Sequence, residues 1–131
     1  MVYSSYSHWQ LEKALLRIVM SANLRLYYGD VAVGQIKNPF YSDGTWYGTL
    51  ELEVGPPGCE LEHRIHDYIL FVEDWNERVR RNDQADASEF DRYSDLVKSG
   101  LWFTKNDEGG VSRIMEAPVF FVGNELSWRT E

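Results

Sequence analysis

Cys59, His63 and His66 stand at i, i+4 and i+7, so one flank of a helix would carry all three, with Glu73 and Glu77 continuing along it. Thiolate and imidazole are good zinc ligands, and a histidine beside a cysteine can activate it as a nucleophile. That flank lies away from the apolar stripe of the same helix, which leaves the trio open to water. No second ligand pair with metal spacing occurs in the sequence, and His8 is its one other histidine. One helix alone hardly closes a tetrahedral site. The expectation is two surface imidazoles and an incidental thiol, with a small enzyme or metal site at Cys59, His63 and His66 as an alternative reading.

Carboxylates crowd the segment that follows: Asp83, Asp86, Glu89, Asp91 and Asp95. A calcium loop needs oxygen ligands at alternate positions and a glycine for the sharp turn. Asp83-Gln84-Ala85-Asp86-Ala87-Ser88 breaks that spacing and has no glycine. Helix capping explains Asp86 and Glu89 more simply. Glu51 and Glu53 lie on the wet side of a strand, where nothing in the sequence supplies the cleft that a glycosidase acid requires. Nucleophile-elbow, phosphate-loop and dinucleotide glycine patterns are absent from the sequence. The expectation is therefore no catalytic residue, no cofactor and no metal.

Charge is the more informative signal. Thirteen bases against twenty-one acids give a net charge of −8. A nucleic-acid backbone would repel such a chain, so no nucleic-acid partner is expected. The excess is uneven: residues 59–95 hold eleven acids and five bases, a net of −6, whereas the segments on either side carry −1 each. A concentrated acidic stretch is either a solvated face or a docking surface for a basic partner.

Length and composition place these residues in one domain, 1–131, with enough apolar and aromatic side chains to form a core without staples. A lone cysteine suits a reducing cytoplasm. The longest apolar stretch, Ala14 to Met20, is interrupted by Arg17 and falls far short of a membrane span; it also fails as a signal peptide. No membrane association is expected.

The elements that must position these groups follow from periodicity. Ser7-His8-Trp9-Gln10 has the form of a capping box, and apolar spacing predicts a helix over 8–21, with a strand from Leu15 to Met20 as the alternative. Leu24 to Tyr28 and Val31 to Ile36 flank Gly29-Asp30, a two-residue hairpin turn. A loop over 37–44 leads to a strand in which Trp46, Gly48, Leu50, Leu52 and Val54 alternate with polar residues. Leu61, Ile65, Tyr68, Ile69, Val72, Trp75 and Val79 predict an amphipathic helix near 59–81, and Asp86 to Gly100 a second. Four strands close the chain: Leu101 to Thr104, Val111 to Glu116, Pro118 to Val122 and Glu125 to Arg129. Strand runs on either side of a helical pair, without β-α-β alternation, predict an α+β fold. A mostly antiparallel sheet of about six or seven strands would carry two or three helices.

Adjacent rings such as Trp46-Tyr47, Trp102-Phe103 and Phe120-Phe121 must face opposite sides of that sheet. The first helix is expected to cover the second face. If it does not, exposed rings beside acids form a partner site, and self-association into a homodimer stays open. The leading expectation is a small acidic interaction or inhibitor module, similar in class to immunity proteins, docking a basic partner. Its expected contacts are Phe40, Tyr41, Asp43 and Tyr47, with Glu73, Glu77, Asp83, Asp86 and Asp91. A small-ligand or carbohydrate-binding domain using the exposed aromatics is the third reading.

Overall fold

A computed structural model describes residues 24–54 and 58–131. The expected helix over 8–21, and any covering of the sheet by it, lie outside the described residues. Strand β1 (Leu24–Tyr28) turns through Gly29, at φ +56°, into β2 (Val31–Ser42). The hairpin is the one the sequence predicts, with Tyr28 opposite Val31. Its register slips once, leaving Val33 as an extra residue on β2. Gly34 follows immediately. A Cβ there would lie 2.5 Å from the Glu51 carbonyl oxygen and 2.8 Å from Leu50 Cδ1, so only glycine admits the next strand this closely.

The segment over 37–44 is not the expected loop. It continues β2 and turns directly into β3 (Thr45–Leu52). Asn38, at φ +51°, and the buried Pro39 together oppose Gly48, a bulge that carries the strand past a residue with no N–H to donate. Asp43 and Gly44 both have positive φ, +52° and +84°, as a tight primed hairpin turn requires. Leu50 and Val54 are buried as the alternation predicts. Leu52 is 37% exposed because its cross-strand neighbour is Gly34, which offers no side chain to pack against.

Helix α1 (Glu60–Arg80) buries Ile65, Tyr68, Ile69, Phe71 and Val72 and packs mainly on β6 (Val119–Phe121). Asn76 Nδ2 donates to the Phe120 carbonyl at 3.0 Å, tying helix to strand. Leu61 and Val79, expected on the buried stripe, are exposed near the two ends of the helix. The second helix is mostly not α: Ala87–Tyr93 is a 3₁₀ helix, followed by the single turn α2 (Ser94–Val97). Its start is as expected. Asp86 accepts from Ser88 N at 2.9 Å, and Glu89 reaches back to Asp86 N at 2.9 Å. Phe71 sits 4.9 Å from Phe90 and 5.0 Å from Tyr93, so this tighter segment supplies a second aromatic layer against α1.

The remaining strands, β4 (Trp102–Lys105), β5 (Val111–Arg113), β6 and β7 (Glu125–Trp128), complete an antiparallel sheet in the order β5-β4-β1-β2-β3-β7-β6. Its two ends meet. Beyond β5, Ile114 bridges Thr130, Met115 N donates to the Arg129 carbonyl at 2.8 Å, and Glu131 N to that of Arg113 at 3.1 Å. The sheet therefore curls round a core led by Trp102, Phe120, Leu26 and Ile114, all at 2% exposure or less.

Candidate functional site

Cys59 occupies the N-cap of α1, where its side chain makes no capping hydrogen bond. The thiol instead donates to Glu62 Oε1 at 3.4 Å. His63 Nε2 accepts from Gly58 N at 3.2 Å, so a loop amide already occupies that lone pair. The Glu73 carboxyl is pushed up by burial and drawn partly back by His66. Among the described residues no three histidine, cysteine or acidic side chains gather in a way that would hold a metal.

The arginines of residues 59–95 are all engaged within the fold. Arg64 Nε donates to Asp95 at 2.9 Å, Arg78 bridges Asp74 and Glu89, Arg80 pairs with Glu77, and Arg81 lies 3.6 Å from Asp83. Arg92 stacks over the rings of Phe71 and Tyr93 at 4.7 and 5.2 Å. Of the acids expected to meet a partner, Glu77 and Asp83 thus carry intramolecular partners, and Asp86 caps the 3₁₀ helix. Asp91 is exposed and Glu73 half-buried. On the outward face of α1, Leu70 is 49% exposed, with His66, Asp67, Glu73 and Asp74 as its helical neighbours at three and four residues.

These pairs carry a pH dependence. The Arg78 guanidinium, and then the Asp86 amide, hold the Glu89 carboxyl below its ordinary 4.5. Arg80 does the same for Glu77, and Arg64 holds Asp95 below 3.8. Since the folded values are depressed, this stabilisation is full above the unfolded values and is lost as pH falls through the folded ones. Arg78→Met should therefore lower Tm at neutral pH, by a margin that shrinks below about pH 4. Thermal melts across pH check this; an equal offset at acid and neutral pH would assign the loss to packing.

The aromatic residues expected in the site divide between two faces of the β2–β3 hairpin. Phe40 and Tyr47 stack at 5.2 Å on one. On the other, Tyr41 meets Trp46 at 5.3 Å, and Trp46 stacks on Trp128 at 6.0 Å. Asp43 sits in the turn between them. The expected contacts therefore form two groups on different elements, the rings on the sheet and the acids on α1 and the 3₁₀ segment. The two-sided ring pairs otherwise follow the alternation, with Trp102 and Phe120 buried, and Phe103 and Phe121 half-buried.

Sequence reasoning missed a groove of about 430 Å³ beside the closure of the sheet. Between the pairs Ile114–Thr130 and Val119–Ser127, four residues, 115–118, stand opposite two. This wide bulge opens the ladder. Within it Glu116 takes φ +60°, a left-handed conformation that costs a residue with a Cβ about 1 kcal/mol or more. Tyr47, Met115, Val119, Ser127 and Arg129 share the lining with Glu116. The break at Glu116-Ala117-Pro118 between two strands was the available signal, but a proline there reads equally well as an ordinary turn.

Among the described residues no helix is long and apolar enough to cross a membrane. Compared with known proteins, the chain matches no family model, no curated protein and no solved structure.

Proposed function

We propose that this chain is a protein-interaction module of the inhibitor kind, receiving a basic partner on the outward face of α1. One observation carries the reading: the segment keeps a net of −6 after its five arginines are counted, and each of those arginines is engaged within the fold. Leu70, an exposed apolar side chain, lies between Asp67 and Glu73, which have no arginine partner among the described residues, and Asp74, which Arg78 engages. An apolar centre with an acidic rim complements a cationic surface with an apolar knob. Long-range attraction would speed the encounter and make it salt-sensitive.

The test compares the native chain with Asp67→Lys/Asp74→Lys as affinity baits in host extract, after circular dichroism shows that both are folded. A basic partner should be retained by the native chain, lost by the charge-reversed one, and released as salt rises from about 50 to about 500 mM. Retention of the same partners by both baits, or of none by either, would refute the reading.

A further inference from the structure

We infer that the groove at the bulge between Ile114 and Val119 binds a small zwitterion, a free α-amino acid with an aromatic or large apolar side chain. The groove is lined by residues of β3 and β7, by Arg129 just beyond β7, and by the bulged segment with Val119 at the start of β6; no residue of α1 lines it. A glutamate and an arginine are among the residues that line it. Glu116 and Arg129 lie on adjacent segments, joined through the Met115 N to Arg129 carbonyl hydrogen bond. Among the described residues neither side chain makes an ion pair or hydrogen bond. Everywhere on α1 and the 3₁₀ segment, by contrast, the arginines find partners.

A carboxylate–guanidinium contact and an ammonium–carboxylate contact are charge-assisted and directional. A ligand carrying both groups on one carbon would satisfy Arg129 and Glu116 together, whereas a simple anion would meet repulsion from Glu116 and a simple cation from Arg129. The remaining lining selects the side chain. Tyr47 is 39% exposed and held flat by Phe40; Val119 and Met115 are 38% and 49% exposed. These offer a ring and two apolar side chains, and Ser127 adds a small polar residue to the lining. About 430 Å³ accommodates a single amino acid with bound water. The left-handed backbone of Glu116 fits the same account, since strain held at one carboxylate is a recurrent mark of ligand sites.

The test uses L-phenylalanine as probe, followed by amide chemical shifts of the full chain. Saturable shifts confined to residues 115–119 and 127–129 are expected, with Kd between about 0.01 and 1 mM. N-acetyl-L-phenylalanine, which mimics a peptide carboxyl end, and L-phenylalaninamide, which mimics an amino end, should each bind at least about tenfold more weakly. Glu116→Gln should weaken L-phenylalanine but strengthen the acetylated form, whose lone carboxylate it no longer repels; Arg129→Gln should likewise weaken L-phenylalanine and strengthen the amide. No saturable shift up to about 20 mM, or blocked forms that bind as well as the free amino acid, would overturn the inference. Either result leaves the helix-face reading where it stands.

Discussion

Trp102→Ala is expected to lower the unfolding free energy by about 3–5 kcal/mol, the largest effect of any single truncation in this fold. Trp102 is fully buried, and its indole touches rings from three elements: Tyr28 at 5.0 Å, Tyr68 at 6.2 Å and Phe120 at 6.2 Å. Its Nε1 donates to the Leu96 carbonyl at 2.9 Å, so the same side chain fastens α2 to the sheet. Alanine leaves a cavity that Tyr68 and Phe120 cannot collapse into, because they pack on each other at 6.2 Å and Tyr68 also on Tyr93 at 5.3 Å. Trp102→Phe keeps most of the ring but loses the donor, and should cost about 1–2 kcal/mol. Ser99 Oγ still reaches the Leu96 carbonyl at 3.1 Å, which limits that loss. Denaturant unfolding of both variants checks this. A cost below about 1 kcal/mol for Trp102→Ala would mean that Trp102 is not central to the core.

Gly34→Ala should destabilise by about 2–3 kcal/mol, and for a different reason. The atom it would meet first is the backbone oxygen of Glu51, 2.5 Å away, and a backbone cannot swing aside as a side-chain tip can. Relief requires β2 and β3 to separate at the bulge, which loosens the curl on which closure between Ile114 and Thr130 depends. Gly44→Ala is the control. Gly44 needs its positive φ, +84°, but has no atom within 4 Å of an added Cβ, so only the conformational cost of about 1 kcal/mol applies. If the two variants melted alike, close approach of the strands would not be what Gly34 provides.

Much of this fold was legible in local pattern. Trp46 to Val54 alternates with period two, the apolar stripe from Ile65 to Val72 repeats every three to four residues, and Gly29-Asp30 and Gly123-Asn124 mark turns. Each signal depends on neighbours within a few residues, so the α+β class and the antiparallel strands could be read directly. The stretch over 37–44 could not. Asn38-Pro39 reads as a loop until Gly48, nine residues on, is known to lie opposite and leave room for a bulge. Likewise the segment after Asp86 has a helix start, yet its 3₁₀ form follows from packing Phe90 and Tyr93 against Phe71, a contact no local rule contains.

The candidate sites divide in the same way. By itself the sequence determined that negative charge concentrates over residues 59–95, because net charge is a sum over residue types and no folding changes it. Which carboxylates are engaged was a tertiary matter, since Arg64 meets Asp95 across 31 positions and Arg78 meets Glu89 across 11. Only tertiary structure made the groove. It exists because the chain beyond β5 returns to pair beside Thr130 while Glu116-Ala117-Pro118 fall out of register, bringing Tyr47 of β3 alongside Arg129. Strand pairing joins residues far apart in the chain, and a spacing rule confined to neighbours has no access to that choice.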